Sequence, residues 1–132
     1  MVDISAGTLG TTLEMDAPLP LQNVGFTGNS TLNIMCTGTY ELTFFGNFSF
    51  DASTRLTFFI KANGVLLPES VVEKDVIANV QDSFERSVIV HLCANTNLIA
   101  AVDNASAAVG GANGTLAIPM NGVHLGVVRI GP

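Results

Sequence analysis

From Tyr40 to Phe50 the sequence alternates with a period of two. Tyr40, Leu42, Phe44, Phe48 and Phe50 share one parity, while Glu41, Thr43, Asn47 and Ser49 share the other, with Phe45 as the exception. In an extended strand successive side chains point to opposite faces, so this stretch lays one apolar face on a core and turns a polar face outward. Elsewhere the chain consists of short β-rich runs broken by Gly, Asn, Asp and Pro. No 3.6-residue apolar period is sustained over the roughly 11 residues that an amphipathic helix needs.

The pattern predicts an all-β chain. Strands are expected at Thr11–Met15, Gln22–Phe26, Thr31–Cys36, Thr39–Phe50, Arg55–Ala62, Val65–Leu67, Val71–Val76, Phe84–Cys93, Leu98–Asp103, Gly114–Pro119 and Gly122–Ile130. Asn63-Gly64 and Asn121-Gly122 supply the positive φ angles of two-residue type I′ hairpins, which make their flanking strands antiparallel neighbours. The run from Ala107 to Gly114 is small and glycine-rich, and reads as a surface loop.

With 132 residues the chain fits a single domain spanning 1–132, with 1–18 an N-terminal arm and first strand. A chain of this size buries about two-thirds of the surface its unfolded form exposes, enough for one core. Charged residues make up 12% and hydrophobic residues 48%, against a usual charged share of about 25%. Much of this chain must therefore be covered, and a subunit interface is one way to cover it. A net charge of -6 without a basic cluster lacks the electrostatic footprint that phosphate backbones require, which argues against nucleic acid as a partner. No apolar run approaches the roughly 20 residues that cross a bilayer, and the first residues lack a basic start followed by a hydrophobic stretch. The expectation is a soluble chain without a membrane span or signal peptide.

Chemistry has few footholds. His91 and His124 are the only candidate bases, and neither stands in a GxSxG, HExxH or phosphate-loop setting. No enzyme activity and no cofactor are expected. The carboxylates Glu69, Glu73, Asp75, Asp82 and Glu85 form an acidic segment interrupted by Lys74 and Arg86, and Asp103-Asn104 opens the glycine-rich loop. Both read first as solvated turns, with calcium as the sharper alternative, although no EF-hand spacing is present. Cys36 and Cys93 lack zinc-ligand spacing; they read as buried free thiols or as a sheet-to-sheet disulfide. Asn29, Asn47, Asn104 and Asn113 begin Asn-x-Ser/Thr sequons, which mark surface positions only in a secreted eukaryotic protein.

Three stretches carry a family resemblance. Thr37-Gly38-Thr39-Tyr40-Glu41-Leu42-Thr43-Phe44, the run from Arg55 through Asn63-Gly64 to Pro68, and the strand ending Val88-Ile89-Val90-His91-Leu92 resemble the C-terminal head of bacterial collagen-like spore-surface glycoproteins. That head is similar in fold to the globular head of complement component q and to tumour necrosis factor. The resemblance runs from about Leu19 to Ile130 and lies in strand order and spacing. After Leu92 the family has a Gly-Asp turn where this chain reads Cys93-Ala94-Asn95-Thr96-Asn97.

The resemblance implies a jelly-roll β-sandwich of about ten antiparallel strands that forms a tight homotrimer, at the end of a Gly-X-Y stalk on an exosporium or cell surface. Val123, Leu125 and Val127 alternate with His124, Gly126 and Val128, both parities being largely apolar, as suits a strand covered on two sides. Phe45 and Phe59 break the alternation of their strands. The expected trimer surface is therefore Phe45, Phe59, Val123, Leu125, Val127 and Ile130. Two roles fit such a head: a structural or adhesive coat domain, or a module that recognises a receptor or glycan, as a phage tail tip or adhesin does.

Overall fold

The computed structural model describes residues 2–14, 24–27, 30–118 and 123–132, and of 24–27 the backbone only. Among the described residues the strands are β1 (Val2–Ile4), β2 (Thr11–Thr12), β3 (Val24–Thr27), β4 (Thr31–Ile34), β5 (Gly38–Phe50), β6 (Thr54–Ala62), β7 (Val65–Leu66), β8 (Val72–Val76), β9 (Asp82–Leu92), β10 (Thr96–Asn104), β11 (Gly114–Ala117) and β12 (Val123–Gly131). Single 3₁₀ turns occur at Pro68–Ser70 and Ala107–Val109.

All strand pairs are antiparallel, and they form two sheets. In the five-stranded sheet β5 carries β9 along one edge, from Gly38 opposite Leu92 to Phe48 opposite Asp82. Its other edge carries β12 and then β11, and β11 in turn pairs with β1. The seven-stranded sheet is built on β6 and β10, with β4 and β2 on the far edge of β10, β3 beyond β4, and β7 and β8 on the far edge of β6.

The parity read from the sequence decides which face of β5 is core. Tyr40, Leu42, Phe44, Phe48 and Phe50 are buried, together with Leu56, Phe58 and Ile60 of β6 and Leu98, Ala100 and Val102 of β10. The Tyr40 hydroxyl donates to the Cys36 carbonyl at 2.6 Å, so the one tyrosine goes into the core with its polar tip satisfied. Phe44 and Phe48 of β5, Phe84 of β9 and Phe58 of β6 form an aromatic cluster, with the Phe58 and Phe84 rings stacked at 4.2 Å across the two sheets.

Turn chemistry agrees where it is described. Asn63 and Gly64 have φ angles of 50° and 80° between Ala62 and Val65, the two positive values of a type I′ hairpin. The Asn121-Gly122 turn, Met15, Gln22-Asn23 and Pro119 lie outside the described residues. Strand β1 was not anticipated, because three residues are too few for periodicity to register.

Both cysteines depart from the buried reading. Cys36 and Cys93 are exposed, free thiols. Each sits just past a strand end, where the chain leaves one sheet for the other, and the apolar runs beside them stop at Ile34 and Leu92.

One buried polar side chain fastens the opposite end. Asn104 donates to the carbonyls of Ile4 (3.2 Å) and Ala112 (2.8 Å) and accepts from the Thr54 hydroxyl (2.8 Å), which itself accepts from the Ala112 amide. It thereby joins β1, β6, β10 and the glycine-rich loop. Asn104→Ala is expected to cost about 2–3 kcal/mol, because it strands several buried polar groups without partners. Urea unfolding measures the loss, and a change under about 0.5 kcal/mol would contradict this role.

Candidate assembly surface

Strand register fixes what the outer face of β12, β5 and β9 presents. Reading across the sheet, His124, Phe45 and Glu85 form one row; Gly126, Thr43 and Ser87 the next; Val128, Glu41 and Ile89 the third. Ile89, Val128, Ile130 and Phe45 are 65%, 59%, 52% and 38% exposed. The Phe45 ring stacks on the His124 imidazole, with centroids 4.8 Å apart and planes 16° from parallel. Beside this stack, Gly126 leaves the strand pair without a side chain. An added Cβ there would meet Thr43 only at ordinary contact distance, 3.7 Å to its Cβ and 3.8 Å to its carbonyl oxygen.

The six residues expected at this surface divide. Phe45 lies on this outer face, and Ile130, at the register shift between Arg129 and Gly131, is exposed. Val123 and Leu125 are 1% exposed and belong to the core, and Val127 packs against that core. Their register explains it, since Leu125 opposes Phe44 and Val127 opposes Leu42, both inward residues of β5. Phe59 lies in the other sheet, opposite Ala101 of β10, and is 2% exposed under its own chain. The Lys61 ammonium sits 5.8 Å from its ring centroid. Phe59 and Phe45 therefore lie in different sheets, and Phe59 is covered within its own chain. The opposite parity of β12, His124, Gly126 and Val128, together with Ile89, makes up the outer face; His124 is its one polar mark in the alternation.

The remaining candidates are dispersed. His91 opposes Thr39 and His124 opposes Phe45, which puts them six residues apart along β5, about 20 Å. Lys74 pairs with Asp82 at 3.2 Å, Arg55 with Asp75 at 2.8 Å, and the Arg86 guanidinium donates to the Glu69 carbonyl. The hydrogen bond to Asp75, with the charges of Asp75 and Glu73, raises the pKa of Arg55. Among the described residues no three His, Cys, Asp or Glu side chains converge as metal ligands. The Asp103 carboxylate accepts from the Gly10 amide. Of the sequon asparagines, Asn104 is buried and bonded, Asn47 and Asn113 are exposed, and Asn29 lies outside the described residues.

Concavity occurs at the end bearing the glycine-rich loop. A shallow cleft of about 370 Å³ is lined by Asp3, Ile4, Ser5, Asp51, Asn113, Gly114 and Thr115. The Thr115 hydroxyl donates to Asp3 and its amide to Asp51, each at 2.6 Å.

No family model matches the chain, and no curated protein does. Solved structures do. Murine APRIL at pH 5.0 superposes with a TM-score of 0.68 at 16% identity, covering 96% of this chain and 95% of that one. Murine APRIL at pH 8.5 gives 0.66, also at 16% identity and the same coverage. Eiger TNF from S. frugiperda gives 0.61 at 16% identity, covering 96% and 89%. The fold is a tumour necrosis factor-like jelly roll.

Proposed function

We propose that this chain is a structural and adhesive surface head whose activity is to homotrimerise through the outer face of β12, β5 and β9. The observation that carries the reading is that face itself: Phe45 on His124, Gly126, Thr43, Ser87, Val128, Ile130 and Ile89, with Glu41 and Glu85 as its described acidic groups. A flat strip with an aromatic ring and a bare glycine lets a neighbouring sandwich approach closely. Three head-to-tail contacts of this kind close into a ring. The resemblance to collagen-like exosporium heads supports the reading of such a trimer as standing outside the cell, on a spore surface. No nucleic acid or membrane is part of the reading.

The second reading, a receptor- or glycan-binding head, is favoured by the cleft beside Asn113, whose carboxylates, hydroxyls and amide suit sugar hydroxyls. Glycan-array binding that is lost when Ala107–Asn113 is shortened would favour it over a passive coat.

Assembly links stability to concentration. The melting temperature is expected to rise by several degrees over a hundredfold increase in protein concentration. A melting temperature that stays constant across that range would overturn trimerisation.

A further inference from the structure

The cleft at the end bearing the glycine-rich loop is built on one row across the five-stranded sheet. Asp3 of β1 opposes Thr115 of β11. Leu116 opposes Phe50, so one residue further along this antiparallel register Asp51 falls on the other side of Thr115. Neighbouring strands lie about 4.8 Å apart. Thr115 therefore stands between two carboxylates and holds both, its hydroxyl donating to Oδ1 of Asp3 and its amide to Oδ1 of Asp51. Each ionised carboxylate has a second oxygen, which can only accept.

Gly114 belongs to the same construction. A Cβ there would meet the Asp51 carboxylate at 2.5 Å and the Phe50 ring at 2.5 and 2.7 Å. The bare glycine lets Asp51 turn in beside β11, and glycine inside a strand marks such close approaches. Asn113 accepts from the Ala6 amide through Oδ1 at 2.7 Å, which leaves its NH₂ group to donate. No lysine, arginine or histidine lines the cleft.

This lining selects by charge. The carboxylates accept from hydroxyls or from an amine in charge-assisted hydrogen bonds, and the Asn113 amide serves an oxygen of the same ligand. An acidic sugar would bring a further negative charge beside two others with no cation in the lining to meet it. The volume of about 370 Å³ is near the low end of the roughly 300–1,000 Å³ of ligand pockets, which suits a terminal sugar better than a long chain.

We propose, on the glycan-binding reading of this cleft, that Asp3 and Asp51 select a non-acidic terminal sugar, neutral or amine-bearing, whose ring lies across Thr115 and donates a hydroxyl or amine to each carboxylate. The test applies the full chain to arrayed glycans that end in neutral, amine-bearing or acidic sugars, with and without a chelator. Binding is expected to the first two classes, not to the third, and it should be indifferent to the chelator. Asp3→Asn and Asp51→Asn each keep an acceptor for Thr115 while removing a charge, and each should weaken binding about tenfold. Independently of any variant, the sugar that binds, added free to the nitrogen-15-labelled parent, should shift the amide signals of Gly114 and Thr115. A preference for acidic glycans, loss of binding in chelator, binding unchanged in both variants, or signal shifts confined to other residues would overturn this site and leave a receptor role to another surface. Binding to no glycan of any class would overturn the glycan-binding reading along with it.

Discussion

Replacing Phe58 with alanine is expected to cost about 3–5 kcal/mol of unfolding free energy. Phe58 is the ring that the seven-stranded sheet contributes to the aromatic cluster; Phe44, Phe48 and Phe84 come from the five-stranded sheet. Its ring is fully buried, lies 4.2 Å from Phe84 in a near-parallel stack, and lies 4.8 Å from Phe48. Truncation removes the ring from both contacts and leaves a cavity that stiff antiparallel strands cannot collapse into. Aromatic pairs add about 0.5–1.5 kcal/mol beyond area burial, which pushes the loss toward the upper end of the range. Against a total stability of about 5–15 kcal/mol this is a large fraction. Urea unfolding at fixed chain concentration measures it, and a loss below about 1 kcal/mol would mean that the sheets are not held together through these rings.

Gly126→Arg is expected to separate folding from assembly. Within one chain the substitution is tolerated, since a Cβ at this position meets only Thr43, at 3.7 Å. The arginine then projects from the centre of the outer face, between the row of Phe45 and the row of Val128. In a trimer closed through that face its bulk and charge would be forced into the contact, with Glu41 and Glu85 only on the neighbouring rows, at a cost of about 3–5 kcal/mol per contact. That corresponds to at least about a hundredfold weaker association at each interface. The expected product is a monomer with an unchanged far-ultraviolet circular dichroism spectrum. A variant that assembles as the parent does would remove this face from the interface.

How far the sequence speaks depends on whether a strand carries a polar mark. In β5, Glu41 and Asn47 label the outward parity, and Tyr40, Leu42, Phe44, Phe48 and Phe50 are buried as the alternation predicts. In β12 both parities are largely apolar, with His124 on one and Arg129 on the other, so alternation alone could not say that Val123 and Leu125 face the core while Val128 faces out. Register against Phe44 and Leu42 decides it, and register is a property of two strands. Phe59 is ambiguous for a related reason. Its neighbours Phe58 and Ile60 are core residues, but Phe59, beside Ala101 and with the Lys61 ammonium 5.8 Å from its ring centroid, is only 2% exposed as well. Cys36 and Cys93 sit at the ends of apolar runs, and only the tertiary path shows those runs ending one residue or two before the thiols.

The mass of the assembled protein bears most directly on the account. Light scattering on the unmodified chain at micromolar concentration, with Gly126→Arg alongside, is expected to give three times 13.8 kDa for the parent and 13.8 kDa for the variant. A parent that elutes as a single 13.8 kDa chain would contradict homotrimerisation, and with it the proposed role of the β12, β5 and β9 face.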